Sequence, residues 1–294
     1  MSDAKMLLDA SDREMSAAYM MWYRYSRKPA AVIGTLIVLS AIAMAVFAPW
    51  IAPHPKDVGT VVNFRARHHA PELAHLFGTD QVGRDILSRA LFGMRVSLLL
   101  VLGVLGISVP VGTVLGLVAG YFGGWVERVI TGLTNVMLAM PPLVLALAVS
   151  NLLEPTLTNA MLAITLQWWT WHARLIYAVS KSVAAEDYIE AARLSGAGPL
   201  HILFREILPN CVSVISVKTT LDAAFVILLG ATLSFLGFGV KPPTPDLGSM
   251  VAAGRQFMPD YWGEVLCPGA AVLYVTLGFN LLGDGLRDMF DVES

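Results

Sequence analysis

Lys218 and Asp222 are the charged residues with the most unusual placement, because they lie four positions apart inside the otherwise uncharged, apolar stretch 211–240. If this stretch is a helix, Lys218 lies about 10 Å along it from Cys211, at a rise of about 1.5 Å per residue. An apolar stretch of this length can cross a bilayer. Charged groups inside a bilayer are costly and normally face the interior of a helix bundle or a water-filled cavity. We expect the pair either to line a path for a charged or zwitterionic solute, or to form a structural ion pair in which Lys218 reaches towards the membrane surface.

Histidines close to a carboxylate are the other residues that could do chemistry, and three of them lie near Glu72 in the polar stretch 53–95 (His68, His69 and His75). Imidazole and carboxylate groups bind transition metals. Their spacing here matches no specific metal signature, so no metal site is predicted. The acidic and basic residues that follow are expected to cap and brace a short helix (Asp80, Arg84 and Asp85).

Motifs of nucleotide and peptide-bond chemistry are missing from the sequence. It has no G-x-x-x-x-G-K-[ST] phosphate loop, and neither G-x-S-x-G nor H-E-x-x-H. The chain is therefore expected to bind no ATP or other cofactor, to have no catalytic residue and not to be an enzyme on its own.

The composition determines which elements position these residues. Hydrophobic residues make up 56% of the 294 positions and charged residues only 14%, whereas soluble domains have about 25% charged residues. A net charge of −2 gives no indication of a nucleic-acid partner. Six stretches approach or exceed the roughly 20 apolar residues that cross a bilayer, and they lack the alternation of barrel strands. They are 31–52, 96–121, 129–153, 155–173, 211–240 and 265–283. We predict an all-α integral membrane protein with six transmembrane helices.

The distribution of positive charge orients these helices. An even number of crossings leaves both termini on one side, and Lys and Arg slightly favour that side as the cytoplasmic one. The prediction is a cytoplasmic tail over 1–30 and a transmembrane domain over 31–294. Its outer loops cover about 53–95 and 239–264, and a cytoplasmic loop covers about 174–210.

Two patterns within the apolar stretches predict local geometry. Glycines repeat every four residues in the second stretch (Gly112, Gly116 and Gly120), which should let that helix pack closely against another helix of this chain, or against a second subunit. Pro141 and Pro142 should kink the third helix, and we interpret this kink as static.

The cytoplasmic stretch has its own pattern, SKSVAAEDYIEAARLSGAGPLHILFREILPN over residues 180–210. Its Ala-rich first half predicts a helix, which Gly196, Gly198 and Pro199 should end. A second short helix is expected over 200–208, ending at Pro209. Two short helices at an angle should therefore project into the cytoplasm.

This stretch resembles the EAA loop of bacterial ABC-importer permeases, through Glu190-Ala191-Ala192, then Gly196, then Ile207-Leu208-Pro209. Four other stretches are similar to those of the dipeptide/oligopeptide/nickel permease family, in its C-type subunit, and follow the family's order. They read FGTDQVGRDILSR (77–89), GLVAGYFGG (116–124), LSFLGFGVKPPTPDLGSM (233–250) and FNLLGDGLRD (279–288).

The resemblance implies a multi-pass permease of the type I ABC-importer fold in the bacterial inner membrane. Such a subunit pairs with a homologous second permease, and two partner subunits bind ATP and magnesium beneath the pair. A periplasmic or extracellular solute-binding protein delivers the cargo. The family's coupling positions carry over to Glu190, Ala191, Ala192, Gly196, Ile207, Leu208 and Pro209.

The implied function is translocation of dipeptides or oligopeptides by alternating access. A nickel or metal-chelate permease of the same family is the alternative. A proton-coupled secondary transporter, with Asp222 titrating, is the alternative of another class.

Overall fold

The computed structural model describes residues 25–290, and the regular structure of this part is helical apart from one isolated bridge between Thr79 and Asp85. The all-α prediction is confirmed for these residues. Most of the predicted cytoplasmic tail, residues 1–24, lies outside the described residues. The helices are α1 (Pro29–Val46), α2 (Ala48–Ile51), α3 (Ile86–Phe122), α4 (Gly124–Leu138), α5 (Pro142–Ser150), α6 (Leu157–Val183), α7 (Asp187–Leu194), α8 (Pro199–Phe235), α9 (Leu247–Gly254) and α10 (Gly263–Met289).

Four of the described helices, α1, α3, α8 and α10, are each long and apolar enough to cross a bilayer. The pair α4 and α5 meets the same requirement only jointly, and counting it as one crossing makes five. The predicted crossing 155–173 corresponds to α6, which has 27 residues but is less apolar because Asn159, Gln167 and His172 lie along it. Large apolar side chains are exposed on the outer faces of the long helices, as lipid contact requires (Leu36, Leu102, Leu228 and Leu273).

The helices extend beyond the apolar stretches that predicted them. Helix α3 begins at Ile86, inside the predicted outer loop 53–95, and α6 ends only at Val183, inside the predicted cytoplasmic loop 174–210. The predicted stretches stop at the first charged residue, Arg95 or Arg174. A charged side chain near a helix end can reach the aqueous interface, so the helix continues past it.

The glycine face of α3, formed by Gly112, Gly116 and Gly120, lets the α3 backbone pack closely against α6. A Cβ atom added to Gly112 would lie 2.4 Å from the carbonyl oxygen of Trp169, and one added to Gly116 would lie 2.7 Å from that of Ala173. At Gly120 the nearest atom, 2.6 Å away, belongs to Ser180. Packing of this face within the chain, as predicted, is confirmed.

The predicted kink at the paired prolines is confirmed as a break in the helix. Helix α4 ends at Leu138, α5 begins at Pro142, and their axes differ by 84°. The side-chain amide of Gln167, on α6, donates to the carbonyl oxygens of Met137 and Met140 at 2.8 and 2.7 Å. Because an unpaired carbonyl inside a bilayer is costly, this amide stabilises the broken turn.

The prediction that a helix ends at Pro209 is wrong. Helix α8 runs from Pro199 to Phe235 over 37 residues, with a π-helical stretch at Ile202–Ile207. A proline inside a helix lacks a donor, and its ring clashes with the carbonyl four residues earlier. The wider π-turn just before Pro209 changes that spacing, so the helix accommodates the proline and continues.

Candidate coupling and translocation sites

Helix α7 and the turn after it form the first part of what we call the coupling segment, residues 187–209. Acidic residues lie in its first turn (Asp187 and Glu190), where the helix dipole favours negative charge. At its end the N–H of Gly196 donates to the carbonyl of Arg193, and the N–H of Ala197 donates to that of Ala192, both at 3.0 Å. These two bonds form a Schellman motif, and Gly196 has the positive φ, +87°, that the motif requires.

The coupling segment is anchored to the helix bundle by a compact apolar cluster. Ile189 of α7 is fully buried and packs in one cluster with Leu117 of α3 and Ile176 of α6. Ile202 and Ile207, at the beginning of α8, belong to the same cluster. The guanidinium of Arg193 also lies 4.8 Å from the centre of the Tyr121 ring, at the end of α3. The cluster therefore packs α7 directly against α3, α6 and the beginning of α8.

The opposite face of the coupling segment exposes apolar side chains. Leu194 and Leu200 are 84% and 72% exposed, and Tyr188 and Phe204 are exposed too. Four exposed apolar side chains on one short segment are typical of an interaction surface.

The residues that the family resemblance assigned to coupling divide into two groups. Glu190, Ala191, Gly196 and Pro209 are exposed, whereas Ala192 and Leu208 are half-buried and Ile207 is buried. The exposed residues are open to a partner, and Ile207 and Leu208 belong to the apolar cluster that connects the segment to the bundle. The position of α7 between two apolar stretches predicted that it lies at the surface, but only the fold reveals the role of Ile189.

Lys218 and Asp222 form an ion pair along α8. The Asp222 side chain is 1% exposed, and its second oxygen lies 3.7 Å from Nε2 of His172, a buried residue on α6. The Lys218 ammonium is 5.7 Å from the centre of the Trp171 ring, and its side chain is 29% exposed. The carboxylate thus faces α6, and Lys218 is the part of the pair that a solute could reach.

A cavity of about 300 Å³ lies between α4 and α6. Its polar lining includes Thr131, Asn135 and Arg174, and next to it Glu127 accepts hydrogen bonds from Tyr177 and from Lys181, the latter at 2.5 Å. Sequence reasoning missed this group. The spacing of Tyr177 and Lys181, four residues apart on one helix, was the available signal.

The outer loop separates the three histidines that the sequence grouped. Nδ1 of His68 lies 2.7 Å from the carboxylate of Glu264, on α10, while His69 is exposed. Burial lowers the pKa of His68 below its usual value, and the nearby charge of Arg67 lowers it further. His75 lies instead beside Asp85, with Nδ1 2.9 Å from the carboxylate.

Two carboxylates in the outer region cap helices. Asp85 accepts from the N–H of Ser88 at 2.8 Å, which confirms the predicted cap, although the helix is the long α3 rather than a short one. Asp80 accepts from Arg84 at 2.8 Å, as expected for a brace. Asp246 accepts from the N–H of Gly248 at 3.2 Å, at the start of α9, and burial raises its pKa to about 6.

Comparison with known proteins adds two family matches. Residues 112–292 match the family described as binding-protein-dependent transport system inner membrane component. Residues 16–71 match the N-terminal TM domain of oligopeptide transport permease C.

Individual relatives cover nearly the whole chain. A dipeptide transport system permease protein of Haemophilus influenzae is 39% identical over 273 residues, 92% of each chain. A probable D,D-dipeptide transport system permease protein of Escherichia coli is 37% identical, over 95% of this chain and 92% of its own. A glutathione transport system permease protein of Pectobacterium atrosepticum is 37% identical, over 92% and 89% respectively.

Proposed function

The chain belongs to the family of binding-protein-dependent transport system inner membrane components, and we propose that it forms half of the translocation path of an ATP-driven importer of short peptides. The single observation that carries this proposal is the coupling segment, which exposes Leu194 and Leu200 to a partner while burying Ile189 against the bundle. A segment with these two faces can transmit the motion of a partner to the membrane helices.

The proposed topology has six crossings, with α6 as the fourth and both termini in the cytoplasm. The four helices that are apolar enough to cross singly, and the α4–α5 pair that meets the requirement jointly, support it. In this topology the coupling segment lies on the cytoplasmic side, and the two outer loops, which contain Asp85 and Asp246 respectively, lie on the other side of the bacterial inner membrane. The predicted division into a tail over 1–30 and a membrane domain over 31–294 follows from the same topology.

The proposed partners are a homologous second permease, two ATP-binding subunits and a solute-binding protein outside the membrane. The family description, a binding-protein-dependent transport system, supports the presence of a binding protein. ATP and magnesium are held by the partner subunits, and this chain supplies no cofactor to the transport cycle and catalyses no reaction. Nucleic acid has no part in the assembly.

The proposed mechanism is alternating access. When the ATP-binding subunits close on ATP, they carry α7 with them, and the apolar cluster around Ile189 passes the displacement to α3, α6 and α8. The path between the two permeases then opens outwards and accepts cargo from the binding protein. Hydrolysis and reopening of the partners return the bundle to its inward-facing state. We place the polar cavity between α4 and α6 on the cytoplasmic part of this path, where Arg174 can meet a peptide carboxylate.

Short peptides are the proposed cargo because the relatives described above are named for dipeptides, D,D-dipeptides and glutathione. A nickel or metal-chelate permease of the same family remains the alternative cargo class. The proton-coupled secondary transporter is the alternative of another class, with Asp222 as its titrating group.

Reconstituted uptake tests these proposals. The complete importer is placed in liposomes with ATP inside and the loaded binding protein outside, an inward proton gradient is imposed, and uptake of labelled dipeptide is followed with and without a protonophore. We expect uptake to require ATP and to persist when the proton gradient is collapsed. Loss of uptake on adding the protonophore, with ATP still present, would establish the secondary transporter instead. Uptake of a nickel chelate without uptake of peptide would establish the alternative cargo.

The role of the Lys218–Asp222 pair is tested by Asp222→Asn in the same liposomes. We propose a structural pair, because the carboxylate is buried against α6. The variant should then lower the melting temperature while leaving the KM for dipeptide unchanged. A raised KM with an unchanged melting temperature would show that the pair lines the path.

A further inference from the structure

His54, His75 and Asp85 converge at the outer end of α3. One ligand-type atom from each of these residues lies within 4.8 Å of the others. The two imidazole rings are stacked, with their centroids 4.4 Å apart, and Nδ1 of His75 lies 2.9 Å from Oδ1 of Asp85. The group differs from the histidine cluster that the sequence suggested, since only His75 is common to both.

The distances fit two donors of one coordination sphere. Ligand atoms about 2.1 Å from a metal ion and about 90–110° apart are separated by roughly 3.0–3.4 Å. The separation of 2.9 Å between His75 and Asp85 is close to that value. The imidazole of His54 has to approach by only about 1–2 Å to complete a three-ligand set, and a ring at the edge of a loop can do so by side-chain rotation.

Hydrogen bonds from neighbouring groups hold these residues in place, as they do in metal sites. The Asp85 side chain is 1% exposed; its second oxygen accepts from the N–H of Ser88, and its own N–H donates to Asp57 at 3.0 Å. The backbone N–H of His54 donates to the hydroxyl of Ser88 at 2.9 Å. Metal ligands are generally oriented by such outer contacts.

One atom of the group lacks a partner. Nδ1 of His54 is buried and, among the described residues, has no hydrogen-bond partner. Buried polar atoms are nearly always paired, and a ligand shared with His75 and Asp85 would give this nitrogen a partner.

We propose that His54, His75 and Asp85 bind one divalent transition-metal ion, with zinc as the best match to a set of two imidazoles and one carboxylate. The three ligands come from the chain after α2, from the outer loop and from the N-cap of α3. The bound ion would therefore fasten the outer loop to the beginning of α3. The site is separate from the coupling segment and from the cavity between α4 and α6.

Cobalt titration of the purified full chain tests the proposal. Chelator-treated protein in detergent is titrated with Co²⁺, whose visible absorption bands report a low-coordinate protein site, and Zn²⁺ is then added as competitor. We expect one Co²⁺ per chain and displacement by Zn²⁺. His54→Gln and His75→Gln should each weaken binding by about 100-fold or more, since even outer contacts to a metal ligand contribute about 10–100-fold. The matched control is His69→Gln, which removes an exposed imidazole of the same loop and should leave binding unchanged.

A variant that gains a spectroscopic band, rather than losing binding, distinguishes a changed metal site from a protein that has failed to fold. His54→Cys should add a thiolate-to-cobalt charge-transfer band, because a cysteine at this position would enter the same coordination sphere. Zn²⁺ should also raise the melting temperature of the wild type and of His69→Gln, but not that of His54→Gln. Absence of cobalt bands in the wild type would overturn the proposal. Binding that survives both His54→Gln and His75→Gln, or that disappears in His69→Gln, would overturn it as well. The stacked rings and the His75–Asp85 hydrogen bond would then be a metal-free contact.

Discussion

Replacing Gly196 by alanine should uncouple the permease from its ATP-binding partners through backbone strain alone. Gly196 has φ of +87°, and a Cβ added there would meet nothing within 4 Å. The substitution therefore causes no clash. The left-handed region costs an L-residue about 1–2 kcal/mol. Because the turn relaxes to avoid this cost, the Schellman motif at the end of α7 is lost.

The expected magnitude follows from this cost. If the variant relaxes in the free permease and must readopt the turn on docking, its affinity for the ATP-binding subunits falls by about 5–30-fold, because about 1.4 kcal/mol corresponds to tenfold. Gly198 is the matched control, since it is also open to an added Cβ but has φ of −73°, which any residue adopts. Gly198→Ala should change the affinity much less. Gly196→Asn should recover part of the loss, because asparagine enters the left-handed region more readily.

The assay is the binding of purified ATP-binding subunits to the permease in nanodiscs, together with ATP-driven uptake of dipeptide. Melting temperatures of all variants are measured alongside, so that general unfolding is recognised. Equal losses for Gly196→Ala and Gly198→Ala would refute the reasoning, as would unchanged affinity in Gly196→Ala.

Three further outcomes follow from burial, packing and charge. Ile189→Ala should destabilise the bundle by about 2–5 kcal/mol in denaturant or thermal unfolding, whereas Leu194→Ser, on the exposed face, should leave stability unchanged and weaken partner binding. Gly116→Ala should lower the melting temperature because its Cβ would lie 2.7 Å from a backbone oxygen of α6, while Gly106→Ala, which meets nothing within 4 Å, should be neutral or stabilising. Burial raises the pKa of Asp246 from 3.8 to about 6, so the folded state holds its proton more tightly than the unfolded one. The stabilisation that protonated Asp246 gives to the folded state is then fully present below about pH 4 and is lost as the pH rises through about 6. Asp246→Asn keeps the helix cap and should remove this decline, which amounts to up to about 3 kcal/mol, in unfolding measured between pH 4 and pH 7.

Two further measurements test the interpretation of Leu194→Ser and Asp246→Asn. The binding assay for Leu194→Ser is repeated with the binding protein in place of the ATP-binding subunits, where no effect is expected. A pH profile of stability that is the same for wild type and Asp246→Asn would contradict the assignment of the buried carboxyl group.

Local patterns in the sequence predicted local geometry well. The glycine period of α3 required a close helix neighbour, and the structure supplies it. Gly196 and Asp85 were recognised because a helix end needs either a left-handed residue or a side-chain acceptor, and both needs depend on only a few adjacent positions.

Features that depend on two distant segments could not be predicted in this way. Pro209 indicates the end of a helix unless the turn before it widens into a π-turn. The neighbouring residues contain no pattern that predicts a π-turn. The partners of His75 and Ile189 come from other parts of the chain, so their roles depend on the tertiary fold. Charge-free stretches also mark only the apolar part of each helix, which is why the helical extensions past Arg95 and Arg174 were missed.

The continuity of α8 has a mechanical consequence. At about 1.5 Å per residue, 37 helical residues span about 55 Å, so the last part of the coupling segment and the opposite end of α8 belong to one continuous helix. A tilt of about 10° around its midpoint moves each end by about 5 Å in opposite directions. A pull on the coupling-segment end of α8 thus swings its other end in the opposite direction.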